Sequence, residues 1–334
     1  MTKTSMRAAV FHGPTSSGPP LSIEDVPVPI PGPGESLLKV LACAVCRTDL
    51  HIVEGDLPPK LSPLILGHQI VAEIVSSSSD AYPAGSRVGV SWMGGTDGTC
   101  KFCRSARENL CDAPTFTGYS RNGGYAEYAI ARTDFLIPLR AALSPAVTAP
   151  LLCAGMIGFR SLRIAEIKPR QRVGIFGFGA SARLIMPVLQ SWQCEVYVAT
   201  RGAGHQQEAR EFGATWVGDA FDKPTQPLDA AVTFAPVGSV VLAALKSLDK
   251  GGIVAINAIH LDQMPAFDYD SLLWDERQIR SVANMTRDDA RDFLRIAEEI
   301  GITPKIKTFR LQDANQALQA IKDEDVVGSP VLLP

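Results

Sequence analysis

A chain of 334 residues exceeds the usual single domain of about 100 to 200, so two domains with separate cores are expected. Its 32 basic and 35 acidic residues leave a net charge of -3 with no block of like charge, which argues against nucleic acid or an anionic membrane as partner. No apolar run approaches the roughly 20 residues of a membrane span, and the opening MTKTSMRAAV lacks the apolar core of a signal peptide, so a soluble cytoplasmic protein is expected.

Residues 1 to about 150 are punctuated by Gly and Pro, with the β-rich runs SLLKVLACAV, QIVAEIV and SRVGVSW between the breaks. This texture predicts an irregular, mostly antiparallel β domain, with SSSSD at 76–80 as a surface turn. Seven cysteines, at 43, 46, 100, 103, 111, 153 and 194, include two C-x2-C pairs, which in a reducing compartment favour metal over disulfides. Cys43 and Cys194 read as small buried hydrophobes. After Cys153 the strands RVGIFGF, EVYVAT, TWVGD, DAAVTFAP and GGIVAINAI alternate with the helical stretches ARLIMPVLQSW, HQQEAREFG and SVVLAALKSL, which predicts a doubly wound parallel sheet. Near residue 281 the alternation ends. RDDARDFLRIAEEIG then predicts an amphipathic helix, and KTFRL and SPVLLP short strands that return to the first domain.

RVGIFGFGASA places Gly177, Gly179 and Ala182 as G-x-G-x-x-A between an apolar strand and a helix. Gly177 permits the tight turn, Gly179 lets backbone approach a pyrophosphate, and Ala182 allows close helix–strand packing, while the helix N-terminus favours the phosphates. At the end of the second strand, where an acidic residue would bind a ribose 2′-hydroxyl, the chain has Thr200 and Arg201. A fork of donors without a repelling carboxylate suits a 2′-phosphate, so NADP(H) is expected over NAD(H).

Cys46, His68 of GHQ and Cys153 of APLLCAG would give zinc two thiolates and one imidazole, with a fourth position open to a substrate oxygen. Separations of 22 and 85 residues do not establish that they converge. Taken singly, His68 reads equally as a hydrogen-bonded structural histidine, and Cys153 as a buried hydrophobe.

LACAVCRTDLH, ILGHQIVAEIV, CKFCRSARENLC, GGYAEYAI, APLLCAGMIGFRSL and VGIFGFGASA together resemble the zinc-dependent alcohol dehydrogenases of the medium-chain dehydrogenase/reductase superfamily, above all a bacterial branch with short chains. The resemblance spans nearly the whole length. It implies hydride transfer between a primary alcohol or aldehyde and the nicotinamide cofactor. It also implies a discontinuous, GroES-like, mostly β catalytic domain of residues 1–154 and 284–334, with a Rossmann cofactor domain of residues 155–283, and a homodimer or homotetramer. By that resemblance Cys46, His68 and Cys153 bind catalytic zinc, Thr48 hydrogen-bonds the substrate oxygen, His51 ends the proton relay, Asp49 orients the zinc histidine, and Arg47 touches the cofactor pyrophosphate. Thr48, Leu57, Trp92 and Met285 are then the substrate-facing set.

Two positions depart from the family. Gln69 stands where a glutamate usually follows the histidine, and Asp97 replaces the first of four cysteines in a structural zinc lobe that keeps Cys100, Cys103 and Cys111. That lobe has three readings: zinc held by all four residues, zinc held by three cysteines and water, or no zinc. Two alternatives to a zinc enzyme also stand, a metal-free NADPH-dependent quinone or enone reductase of the same superfamily and a non-catalytic nicotinamide-binding protein.

Overall fold

The computed structural model describes residues 4–15, 18–323 and 328–334. The chain forms two compact units: Met1–Cys153 with Thr286–Arg291 and Thr303–Pro334, and Ala154–Met285 with Asp292–Ile302.

The first unit opens with β1 (Ser5–Phe11), β2 (Leu21–Pro27), β3 (Glu35–Ala44), α1 (Arg47–Glu54), β4 (Leu64–Ile65) and β5 (Gln69–Ser77). It continues through β6 (Arg87–Val90), β7 (Met93–Gly95), α2 (Lys101–Arg104), β8 (Thr115–Phe116), β9 (Tyr128–Arg132), β10 (Ile137–Pro138) and α3 (Pro145–Thr148). The second unit carries α4 (Ala154–Ile164), β11 (Arg172–Phe176), α5 (Ala180–Ser191), β12 (Glu195–Ala199), α6 (Ala203–Glu211) and β13 (Trp216–Gly218). There follow β14 (Leu228–Thr233), α7 (Gly238–Ser247), β15 (Leu248–Ile256), α8 (Tyr269–Leu272) and β16 (Gln278–Ser281). Helix α9 (Arg287–Glu299) has its first residues in the first unit and the rest in the second, and β17 (Ile306–Arg310), α10 (Ala314–Lys322) and β18 (Ser329–Leu333) complete the first.

In the first unit the larger sheet runs β10-β6-β5-β3-β18-β17, with β9 also on β3, beside a three-stranded sheet β2-β1-β4. Much of β3 alternates buried with less buried positions, as a strand with one face on a core requires, and Leu38 and Val40 point to the same core as Ile70, Ile74 and Val88. The C-terminal strand closes this core, with Val331 opposite Ala44 and Leu332 opposite Cys43.

The second unit is a six-stranded parallel sheet in the order β13-β12-β11-β14-β15-β16. The chain begins at the centre with β11, winds outward to β13 and returns to β14, so the order reverses between β11 and β14. A parallel sheet binds ligands outside the carboxyl ends of the strands at such a reversal, and Gly177 follows directly on β11. Val173, Ile175, Val196, Val198 and Val232 are fully buried or nearly so, which explains why these strands read as apolar runs.

The structure departs from the sequence reading in three places. Asp292–Ile302 groups with the second unit, not the first. Phe293 is its anchor, buried beside the Phe159 ring at 5.9 Å and against Gly155, where a Cβ would meet its ring at 2.3 Å, while Asp292 pairs with Arg163. Ser76 and Ser77 end β5, so only the rest of SSSSD forms the turn. Pro145–Ile164 is helical and apolar enough by length and composition to cross a bilayer, but it contains α3, a 3-10 turn and α4, and most of it is buried in the protein.

The residue before His68 is under unusual steric demand. Gly67 has φ of 94°, and a Cβ there would lie 2.3 Å from Tyr125 Cδ1 and 2.8 Å from Cys43 Sγ. Gly123 closes on it from the other side, where a Cβ would stand 2.1 Å from the Gly67 carbonyl oxygen. Gly67→Ala combines left-handed strain with overpacking and is expected to cost about 3 kcal/mol or more, measured by urea unfolding. Gly204→Ala in α6, with nothing within 4 Å of the new methyl, is the control and should be neutral or stabilise by up to about 1 kcal/mol.

Candidate active site and metal centres

Helix α1 begins at Cys46, whose backbone N–H donates to Asp49 Oδ2 at 2.9 Å, so the carboxylate three residues on satisfies one of the helix's orphan donors. The same carboxylate turns its other oxygen to His68, with Oδ1 3.3 Å from Nδ1 in an approach short of hydrogen-bond geometry. His68 and Asp49 are both fully buried. With Nδ1 facing Asp49, Nε2 is the nitrogen left for a metal, and it has no hydrogen-bond partner. The ligand atoms of Cys46, His68 and Cys153 lie within 4.8 Å of one another. Two thiols and an unpartnered buried imidazole fit a tetrahedral zinc site with one position open.

The electrostatics agree with that donor set. Cys153 donates to Cys46, and this bond, helped by His68, holds the Cys46 thiol well below its usual range against burial, while the same bond and burial push Cys153 well above it. Burial pulls His68 down, but the Asp49 carboxylate and Cys46 outweigh it and push the imidazole up to about 10. The protons held in this cluster are those that a metal must displace.

Thr48 is buried, with Oγ1 3.7 Å from Cys46 Sγ. His51, on the last turn of α1, pairs through Nδ1 with Asp56 Oδ2 at 2.9 Å. Gly55 makes this pairing possible: its φ of 86° reverses the chain, Leu57 N–H bonds back to the His51 carbonyl at 3.1 Å, and Asp56 comes alongside the ring. Sequence reasoning missed Asp56, although a Gly–Asp pair just past a helix is the signal for such a turn. Leu57 is half-buried against the core of the first unit and Arg47 is exposed. Trp92 meets His68 edge-on at 5.1 Å between ring centroids and stacks on Phe116 at 4.9 Å. Met285 is buried in the second unit, just past β16. Gln69 is buried with Nε2 on the Ala44 carbonyl at 3.3 Å, and Oε1 has no hydrogen-bond partner.

The second group is Asp97, Cys100, Cys103 and Cys111, again with ligand atoms within 4.8 Å of one another. Asp97 Oδ1 accepts the N–H groups of Thr99 at 2.7 Å and Cys100 at 2.9 Å, which holds the carboxyl far below its usual range. Backbone N–H groups of Cys103 and Asp112 lower Cys100, whereas burial pushes Cys103 up to about 11. Between the last two cysteines, buried Glu108 accepts the Arg287 N–H at 3.0 Å, which ties the lobe to the first turn of α9. A carboxylate and three thiols, one of them already lowered, fit zinc, with weaker affinity than four thiolates. Cys43 is fully buried as expected, while Cys194 is only half-buried, with Sγ 3.4 Å from the Lys168 carbonyl.

In the second unit Gly177 has φ of 94°, its N–H bonds the Ala199 carbonyl at 2.8 Å, and a Cβ would press on Ala235 N at 3.2 Å, so only glycine fits. Gly179 caps α5 and has open space where a Cβ would point, and Ala182 is fully buried. Bare backbone at the N-terminus of a 12-residue helix with no acidic residue in its first turn makes a cradle that fits a phosphate. Thr200 is buried, and its hydroxyl accepts the Phe178 N–H at 3.3 Å, so it braces the cradle. Gln206 Nε2 holds the Thr200 carbonyl at 3.0 Å, and Arg201 beside it is exposed.

Comparison with known proteins places this geometry. Residues 32–141 match the family described as alcohol dehydrogenase GroES-like domain. The chain is 43% identical over 328 residues to the probable alcohol dehydrogenase AdhA of Mycobacterium tuberculosis (strain CDC 1551 / Oshkosh), covering 96% of this chain and 94% of that one. Among solved structures it is similar to the acetophenone reductase of Geotrichum candidum in complex with NAD, with TM-score 0.87, 26% identity, and 100% and 98% of the two chains covered. A cobalt- and zinc-bound thermostable alcohol dehydrogenase from Pyrobaculum aerophilum has the same fold, with TM-score 0.88, 22% identity, and 99% and 100% covered. The protein is therefore an alcohol dehydrogenase family member of the medium-chain dehydrogenase/reductase superfamily, with a GroES-like domain and a Rossmann domain.

Proposed function

We propose that this protein is a zinc-dependent alcohol dehydrogenase and aldehyde reductase for primary alcohols and aldehydes, with NADP(H) as its preferred cofactor. The observation that carries the zinc reading is the convergence of half-buried Cys46 and Cys153 on fully buried His68, whose imidazole nitrogen has no hydrogen-bond partner. Zinc bound there would polarise the oxygen of an alcohol or carbonyl. Thr48, buried two residues after Cys46, would hydrogen-bond that oxygen, and His51, with Nδ1 committed to Asp56, keeps Nε2 to pass a proton toward solvent. Thr48, Leu57, Trp92 and Met285 form the proposed substrate-contacting set, apolar apart from Thr48 and suited to aliphatic or aromatic tails. NADP(H) preference rests on exposed Arg201, on the lack of a carboxylate at Thr200, and on an acid-free first turn of α6. We assign a second zinc to Asp97, Cys100, Cys103 and Cys111, and a cytoplasmic homodimer or homotetramer as the working form.

Absorbance of the reduced cofactor with benzaldehyde or benzyl alcohol tests the activity. Turnover should disappear on chelation, and Thr48→Val should lower kcat by about 100-fold or more. Chelator-insensitive turnover would instead identify a metal-free quinone or enone reductase, and absence of turnover a non-catalytic protein. Arg201→Ala should raise KM for NADP(H) by about 10- to 100-fold, the loss expected for a charged hydrogen bond, while KM for NAD(H) changes little. An equal effect on both cofactors would refute the 2′-phosphate assignment. Elemental analysis should find two zinc ions per chain, one for each ligand group, falling to one in Asp97→Ala.

A further inference from the structure

The polar chain behind the metal ligands continues past Asp49. Tyr125 is fully buried, and its backbone is clamped on both sides, N–H to the Leu66 carbonyl at 3.0 Å and carbonyl to the Ala9 N–H at 2.8 Å. The hydroxyl donates to Asp49 Oδ2 at 2.9 Å. Burial and the adjacent Asp49 charge push the phenol well above its ordinary range, so it remains a donor at working pH. Asp49 Oδ2 thus takes donors from two directions, Tyr125 O–H and Cys46 N–H, both at 2.9 Å. Fixing one oxygen of a planar carboxylate from two sides fixes the direction of the other, and that other oxygen faces His68 Nδ1. The Tyr125 ring fills the space beside Gly67, the residue preceding His68, so the side chain borders the metal ligand through both its packing and its hydroxyl.

We propose that Tyr125 is a positioning residue of the metal centre: its hydroxyl fixes the Asp49 carboxylate that orients His68, and so sets how tightly the Cys46–His68–Cys153 site holds its metal. The proposal rests on the zinc reading above. Groups that orient a metal-binding histidine typically change affinity 10- to 100-fold when removed, and Tyr125 acts one link further out. Phenylalanine would keep the packing and remove only the donor.

Cobalt(II) titration against a competing chelator tests this, because ligand-field and thiolate charge-transfer bands distinguish the two-thiolate, one-imidazole site from the three-thiolate lobe. Tyr125→Phe should weaken cobalt at the first site by about tenfold and leave the lobe unchanged. In an Asp49→Asn background the same substitution should have almost no further effect, since the link through the carboxylate is already cut. Unchanged affinity in Tyr125→Phe, or a full tenfold loss on top of Asp49→Asn, overturns the proposal and leaves the zinc reading standing. A wild-type protein that binds no cobalt at the first site overturns both. If Tyr125→Phe does not fold, the 13Cζ resonance of Tyr125 in the labelled wild type decides instead. It should move when zinc binds while that of Tyr82 does not, and a Tyr125 resonance that stays in place overturns the proposal.

Discussion

Removing a carboxylate from water costs several kcal/mol unless donors replace the solvent, and Asp49 is fully buried. The local structure around it supplies those donors. Helix α1 starts where it does because Cys46 offers its N–H to Asp49, and that start presents the Cys46 thiol. The segment through Gly67 and the glycines of GGYAEY packs closely enough for Tyr125 to reach the same carboxylate and for His68 to stand opposite its second oxygen. Cys43 belongs to this arrangement as filler, its sulfur occupying the gap between Gly67, Gly124 and the tyrosine ring. A larger residue at Gly67 or Gly123 would separate groups whose chemistry depends on contact within about 3 Å.

The two metal groups differ in their physical setting. In the Cys46 group fully buried His68 stands against two half-buried cysteines, and a Cys153–Cys46 hydrogen bond lowers one thiol while it raises the other. The Asp97 group lies at the surface, and its carboxylate is stabilised by backbone N–H groups of its own turn. The first arrangement suits a site where a bound oxygen must be polarised. The second suits a clasp that shapes a loop, and Glu108 extends the clasp to Arg287 at the head of α9.

Much of the fold was legible because its strands and helices advertise themselves by period. The runs after Cys153 mark β11 to β15 and α5 to α7 to within a few residues, since strands buried on both faces read as short apolar runs and the helices as longer stretches, while α4 and α8 are unmarked. β16 gives no such signal: Gln278–Ser281 is a short edge strand, half exposed, with Ile279 its one apolar residue. The placement of Asp292–Ile302 was equally invisible, because an amphipathic helix reveals that it has an apolar face but not what covers it. At the site, the residue types of Cys46, His68 and Cys153 carry the chemistry, yet Cys46 meets His68 through the pairing of β3 with β5 and Cys153 arrives just past a 3-10 turn, neither of which sequence separation encodes. Asp56 and Tyr125 escaped notice because each acts through a hydrogen bond created by the backbone turn or packing around it.

Trp92 gives the first unit an optical property of its own. Its indole lies 5.1 Å from the His68 ring, and Phe116 and Tyr119 stack against it at 4.9 and 5.7 Å. The chain has four tryptophans, and the other three, Trp192, Trp216 and Trp274, all belong to the second unit. Indole light from the first unit therefore comes from one residue in edge contact with the candidate metal ligand. Because a charged imidazole quenches indole more than a neutral one, a change in the charge of His68 is expected to register in the emission of Trp92, without an added dye.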